Sequence, residues 1–193
     1  MSWLVAGLGN PGDRYATTRH NLGARVVDEI ARDAGTRFRK ARFVPAEVAE
    51  LSFDGERVWL VKSLLWMNES GPSYASIAKK HDVAPDRVIA VHDEIDLPLG
   101  ALRVKFGGST AGHNGLKSLQ QALRTTEFAR VRLGVGRPPG RKDPADHVLE
   151  PFSKREQADA ELLVEDGVDA VRSLVRDGVA STQDRFNRSG PRT

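Results

Sequence analysis

His20 and a run of acids from Asp93 onward carry the clearest prospects for chemistry in this chain. His20 stands in Thr17-Thr18-Arg19-His20-Asn21, at the predicted start of a helix over 19–34. Exposed amides and the positive end of the helix dipole disfavour an imidazolium there, and a neutral imidazole is what a general base requires. A lone histidine is as readily a surface or structural residue, so its neighbours must decide. Val88-Ile89-Ala90-Val91-His92-Asp93-Glu94-Ile95-Asp96 reads as a buried strand ending in acids, and strand ends are where α/β proteins place their sites. Asp93 is the candidate to accept a hydrogen bond from an imidazole, fixing its tautomer and raising its basicity. The competing reading is a metal held by His92, Asp93, Asp96 and His113, but no H-E-x-x-H or comparable ligand spacing accompanies them. Glu94 and Asp96 read more simply as solvated turn residues before Pro98 and Gly100.

Gly7-Leu8-Gly9-Asn10-Pro11-Gly12 follows a predicted strand and formally matches the dinucleotide-binding G-x-G-x-x-G. In that motif the helix begins within the glycine run, whereas here apolar helical spacing starts only at Leu22, beyond the polar stretch Asp13 to Thr18. The segment is a tight turn, or a turn that aims the Asn10 amide at a substrate. Gly107-Gly108-Ser109-Thr110-Ala111-Gly112-His113-Asn114-Gly115 lies between a strand and a helix, a suitable place for backbone amides to meet an oxyanion or phosphate. It is not a Walker loop, because Lys117 and Ser118 come too late. Asn114 is either the N-cap of a helix over 115–124 or a ligand contact, or both. In Ser63-Leu64-Leu65-Trp66-Met67-Asn68-Glu69-Ser70-Gly71, packing explains Met67, while Trp66 is either core or a surface on which a base or sugar stacks. Tyr15 carries the same ambiguity.

These residues need a scaffold, and period-2 or continuous apolar runs place strands near 2–8, 43–51, 57–62, 87–92, 101–106 and 129–135. Helical spacing appears near 19–34, 68–81, 115–124 and 153–178. The first of these helices has Thr17 or Thr18 as its expected N-cap and ends before Gly35. Strands and helices alternate, which predicts an α/β fold in one domain over 1–193, with 181–193 a mobile tail. No repeat or low-complexity tract interrupts it. Cysteine is absent, which excludes disulfides, a thiolate nucleophile and cysteine metal clusters and fits a reducing compartment. The apolar runs are too short to span a bilayer, and the N-terminus lacks the basic region of a signal peptide. Net charge is only +3, yet residues 1–149 hold 22 basic and 17 acidic side chains, and 150–193 hold 7 and 9, so the body is +5 and the tail −2. The cations cluster at Arg37, Arg39, Lys40 and Arg42, at Arg103 and Lys105, and at Arg130, Arg132, Arg137, Arg141 and Lys142, a pattern for a polyanionic partner or a solvated surface.

Together Gly7-Leu8-Gly9-Asn10-Pro11-Gly12, Tyr15, Thr18-Arg19-His20-Asn21, Met67-Asn68-Glu69-Ser70-Gly71, His92-Asp93-Glu94, Gly112-His113-Asn114-Gly115-Leu116 and Arg132-Leu133-Gly134-Val135-Gly136-Arg137-Pro138 resemble the bacterial peptidyl-tRNA hydrolase family, in order and spacing. The resemblance covers residues 3 to about 152. It implies a monomeric, cytoplasmic α/β enzyme with a mixed, mostly parallel sheet flanked by helices. Such an enzyme cleaves the ester between a peptide and the 3′-terminal ribose of tRNA, with no cofactor and no metal. Carried over by motif, His20 is the base that activates water, Asp93 supports it, and Asn10 distinguishes N-blocked peptidyl esters from free aminoacyl esters. Tyr15, Trp66, Met67, Asn68, His113 and Asn114 match substrate and tRNA contacts, and Lys105 and Arg132 match phosphate contacts at the acceptor end. Two departures stand out: Trp66 replaces the family's usual phenylalanine or tyrosine, and Ser109-Thr110-Ala111 interrupts a loop normally richer in glycine. The rival expectation is a non-catalytic RNA-binding relative of the same fold, against which the retention of Asn10, His20, Asp93 and Asn114 speaks.

Overall fold

The apolar alternation of the first strand decides which side of the sheet each neighbour packs on. In β1 (Ser2–Gly7), Trp3 and Val5 enter one core while Leu4 and Ala6 enter another, as a period of two requires. β5 (Val88–Glu94) repeats the division, with Ile89 and Val91 on the first side and Val88 and Ala90 on the second. The computed structural model describes residues 1–188 and 190 and builds these strands into one sheet with helices on both faces.

The remaining strands are β2 (Arg39–Lys40), β3 (Ala46–Phe53), β4 (Glu56–Ser63), β6 (Leu102–Phe106) and β7 (Ala129–Gly134), and the order across the sheet is β2-β3-β4-β1-β5-β7-β6. β4, β1, β5 and β7 run parallel, while β3 and β6 lie antiparallel on either side of that block. The first core is closed by α1 (Leu22–Asp33) and α5 (Gln157–Phe186), the second by α2 (Gly71–Lys80) and α3 (Asn114–Leu123). A short α4 (Pro144–Val148) precedes α5. The chain leaves β1 toward β4 on one side and later crosses to β5 on the other. Their carboxyl ends therefore open a crevice of the kind that α/β sheets use for ligands.

Close approach of helix to sheet requires glycine at two points. A Cβ on Gly23 in α1 would lie 1.9 Å from the Val91 carbonyl oxygen, and one on Gly71 in α2 would lie 2.0 Å from that of Ser118. α1 therefore sits directly on β5, the strand that carries Asp93.

Three local expectations are corrected. The helix predicted over 19–34 is a single 3-10 turn, Arg19–Asn21, followed by α1, so His20 stands ahead of the α-helix and not in its first turn. Thr18 holds the N-cap position of the 3-10 turn, but its hydroxyl donates to the Tyr15 carbonyl at 2.8 Å and caps no helix amide, and the N-cap position of α1 falls to Asn21. The last helix continues past 178, where Gly178 (φ 79°, ψ 179°) kinks it, and reaches Phe186. Thr182 is buried, and Asn187 accepts from the Val104 amide at 2.7 Å and donates to its carbonyl at 2.9 Å, so the expected tail is docked at its start. Ser189 and residues 191–193 of that expectation lie outside the described residues. No helix among the described residues is long and apolar enough to cross a membrane.

Candidate active site

Asp93 is the penultimate residue of the fully buried β5, and two other segments converge on its carboxylate. His20, from the turn before α1, places Nδ1 3.0 Å and 2.9 Å from the two carboxylate oxygens. His113, ahead of α3 on the other face of the sheet, places Nε2 2.9 Å from Oδ1. His113 Nδ1 accepts from the Gly115 and Leu116 amides at 3.1 Å and 3.2 Å, so its proton sits on Nε2 and points at Asp93. His113, and not Asn114, is the N-cap of α3; Asn114 opens the helix with its side chain exposed in the cleft. A histidine filled the capping role because its ring nitrogen accepts as an Asn oxygen would.

The Asp93 side chain is 2% exposed and that of His20 13%. Burial alone would push the Asp93 carboxyl up, but the two imidazoles, by charge and hydrogen bond, hold it well below the usual carboxylate range. For His20, burial works against the charged ring, yet the charge and hydrogen bond of Asp93 outweigh it and raise its pKa. This reverses the expectation drawn from a helix start, where the dipole would have favoured the neutral ring. With Asp93 ionised and able only to accept, His20 carries its proton on Nδ1, and Nε2 is the free nitrogen of a ring lining the cleft.

The cleft, about 390 Å³, is lined by Asn10, His20, Trp66, Met67, Asn68, Asp93, His113 and Asn114, with Ala111, Gly112, Val148 and Leu149 among its walls. Asn10 is held from both sides. Its backbone amide donates to Asn21 Oδ1 and its carbonyl accepts from Asn21 Nδ2, each at 2.9 Å. Its own Oδ1 accepts from the Met67 amide at 2.7 Å. That last bond uses the oxygen and leaves the NH2 group as the free end of the carboxamide. Met67 itself is buried in the second core. Trp66 is not core: it is 51% exposed and meets Tyr15 edge-on at a ring separation of 5.6 Å.

Tyr15, Lys105 and Arg132 stand outside the cleft lining. Lys105 lies along the glycine-rich loop, where a Cβ on Gly108 would fall 2.6 Å from its Nζ. Arg132 pairs with Glu94 at 3.3 Å, and Glu94 is buried, not the solvated turn residue the sequence predicts. Asp96 is exposed and pairs with Arg137. The metal set read from the sequence does not assemble, because His92 turns into the interior. Its Nδ1 donates to the Asp93 carbonyl at 2.8 Å, and its Nε2 lies 3.4 Å from Arg130 Nε. Burial first, then the charges of His113 and Arg130, hold His92 well below its usual pKa. A different trio, His20, Asp93 and His113, brings ligand atoms within 4.8 Å of one another. In it both imidazoles direct a nitrogen at the carboxylate, which is the geometry of a hydrogen-bonded relay.

Three functional supports escaped sequence reasoning. Arg19 is buried and donates from Nη1 to the carbonyls of His147, Glu150 and Pro151 at 3.1, 3.3 and 3.2 Å, and from Nη2 to Glu156 at 2.9 Å. It ties the segment that supplies Val148 and Leu149 to the His20 turn. Asn21 fixes Asn10, as described. Arg130, counted from sequence among the cations for a polyanion, is instead buried and holds the glycine-rich loop through Gly107 O (3.4 Å) and Ser109 O (2.7 Å). Burial and the nearby Arg132 lower its pKa to about 10. The adjacency of Arg19 and Asn21 to His20 was the one signal available for two of them.

Fold and site together define a single-sheet α/β protein with a histidine–carboxylate couple in a cleft at the carboxyl ends of its parallel strands. Residues 4–193 match the family model described as Peptidyl-tRNA hydrolase. A peptidyl-tRNA hydrolase of Mycobacteroides abscessus is 49% identical over 187 residues, spanning 97% of this chain and 95% of the relative. One of Arthrobacter sp. strain FB24 is 46% identical over 190 residues, spanning 96% of each. The crystal structure of peptidyl-tRNA hydrolase from Acinetobacter baumannii is similar with a TM-score of 0.91 at 31% identity, covering 98% of this chain and 96% of that one. The chain belongs to the peptidyl-tRNA hydrolase family, and its reaction is the hydrolysis of peptidyl-tRNA.

Proposed function

We propose that His20 is the general base of this hydrolysis and Asp93 its positioning partner, cleaving the ester between the peptide and the 3′-terminal ribose. The observation that carries this reading is the bond from His20 Nδ1 to a buried, ionised Asp93, which leaves Nε2 as a proton acceptor in the cleft. Nε2 takes a proton from water as the oxygen adds to the ester carbonyl. The resulting oxyanion is met by carboxamide donors, for which Asn68 and Asn114 are the exposed candidates. Collapse breaks the bond to the ribose oxygen, which takes the proton back from His20, so the products are a peptide acid and a tRNA hydroxyl.

Asn10 sorts substrates by hydrogen-bond sign. Because Met67 N–H occupies its oxygen, it offers only N–H donors. The blocked amino group of a peptidyl ester brings an amide carbonyl to accept them, whereas a free α-ammonium brings donors and a charge against donors. Trp66 and Tyr15 form the stacking rim for the tRNA end. Lys105 and Arg132 lie on one face of β6 and β7 and supply phosphate contacts. His113 acts through Asp93 as a second holder of the carboxylate. The enzyme works in the cytoplasm as a monomer and without a metal.

The test is release of free tRNA from N-acetyl-aminoacyl-tRNA in the presence of a chelator. Wild type is expected to cleave and His20→Ala to lose activity by about 10²-fold or more while still binding tRNA. Binding without cleavage by wild type would point to an RNA-binding module, and loss of cleavage on chelation would point to the His20, Asp93, His113 trio as a metal site.

A further inference from the structure

The cations at Arg37, Arg39, Lys40 and Arg42 are not used by the site described above. All four are exposed, and among the described residues none is in an ion pair. Next to them Phe43 is 90% exposed with φ 64°. A large apolar side chain is held out in solvent on a left-handed backbone that non-glycine residues rarely adopt. The Arg42 guanidinium lies over its ring at 4.8 Å. A stacked arginine and aromatic at a turn tip offer at once a cation and a flat apolar face.

The position of this turn ties it to the active site. β3 begins at Ala46, opposite Ser63 at the carboxyl end of β4. The Pro45 carbonyl accepts from the Leu64 amide at 2.9 Å, two residues before Trp66. The turn thus lies at the same end of the sheet as the loop that carries Trp66, whose ring meets Tyr15, itself 5.5 Å from the Arg14 guanidinium. Arg39 pairs with Val48, which packs on the second core, so it shares a sheet face with Arg132 and Lys105, whose alternation is opposite to that of Val104 and Val131 in the first core. β2 and β6 are the two edges of the sheet, and the cleft at β1 and β5 lies between. Two basic surfaces flank one site, roughly 25–30 Å apart by strand spacing.

We propose that the turn bearing Arg39, Lys40, Arg42 and Phe43 is a second RNA contact, gripping the substrate's tRNA by phosphate and stacking on the side of the cleft opposite Lys105 and Arg132. Uncompensated charge matches the polyanion, and the exposed aromatic matches an unpaired or terminal base. The proposal rests on the reading that the substrate is a tRNA ester cleaved in the His20 cleft.

The test compares wild type with the triple variant Arg39→Gln, Lys40→Gln, Arg42→Gln and with Phe43→Ala on two substrates. One is N-acetyl-aminoacyl-tRNA; the other carries the same acyl group on the 3′-terminal trinucleotide alone. On the full tRNA the triple variant should raise KM about tenfold at low salt and flatten the log–log salt slope by about 2–3 with kcat unchanged. Phe43→Ala should raise KM roughly 5-fold to 100-fold without changing the slope. On the trinucleotide both variants should match wild type, which also shows that they fold. An unchanged KM and slope on the full tRNA overturns the proposal, as does an equal loss on both substrates. Wild type that cleaves neither substrate would instead defeat the reading of the active site.

Discussion

At the residue scale the cleft is defined by which of its polar atoms already hold a hydrogen-bond partner. Asn10 is the clearest case. The Met67 amide fixes its oxygen, so the carboxamide presents one sign of hydrogen bonding to the cleft. Asn10→Asp keeps an oxygen for Met67 and turns the free end into an anionic acceptor. The expected outcome is that hydrolysis of free aminoacyl-tRNA rises relative to N-acetyl-aminoacyl-tRNA by about tenfold or more, read from the ratio of kcat/KM values. An unchanged ratio would remove the discriminating role. Much of this chemistry was legible in the sequence: His20, Asp93, Asn10 and the amides of Asn68 and Asn114 sit in distinct motifs, and all line one cleft. The sharing of Asp93 between two imidazoles was not legible, because His20 and His113 reach it from opposite faces of the sheet through contacts that no local spacing encodes. Nor was the direction of the His20 shift, since a helix-start argument omits a buried carboxylate about 3 Å away.

At the element scale, periodicity located every strand and helix but the two-residue β2 and the short α4, because the sheet is two-sided and alternation in β1 and β5 has only one solution when both faces are covered. What periodicity cannot see is backbone proximity. Gly23 has no signature beyond being a glycine in a helix, yet it lets α1 rest on Val91 O and so fixes the distance between the His20 turn and Asp93. Gly23→Ala should destabilise the protein by about 1–3 kcal/mol, with a lower Tm in thermal melts and a disproportionate fall in kcat. A melt identical to wild type would contradict that packing. The C-terminal helix was foreseen only as far as its kink. Beyond Gly178 the chain docks through Asn187, whose carboxamide pairs with both backbone groups of Val104 on the free edge of β6. One amide thereby covers part of an edge that would otherwise invite another strand.

At the scale of the whole molecule, charge is organised around the cleft more than its net value of +3 implies. Counting along the chain overstated the cations available to RNA: Arg130 is buried under the glycine-rich loop, and Arg137 and Lys142 are paired with Asp96 and Glu150. Lys105 has no ion pair among the described residues and is the clean probe of the β6–β7 surface. Lys105→Gln should weaken tRNA binding and reduce the salt slope by about 0.7–0.9, measured as log Kd against log salt. Arg132→Gln should weaken binding too, but it also strands a buried Glu94, so stability must be read alongside it. A slope equal to wild type for Lys105→Gln would mean that this surface is only solvated.

The proposed mechanism needs one imidazole held ready to take a proton, and the pH–rate profile of Asp93→Asn reads that directly. Asp93 raises the pKa of His20 against the effect of burial, so removing its charge leaves burial unopposed. A base acts when deprotonated, so kcat/KM rises with pH through its pKa, and a lower pKa moves that rise to lower pH. Asp93→Asn is expected to shift the rising limb to lower pH and to drop the plateau about 10²-fold or more, with tRNA affinity unchanged. A rising limb that stays at the wild-type pH would contradict it.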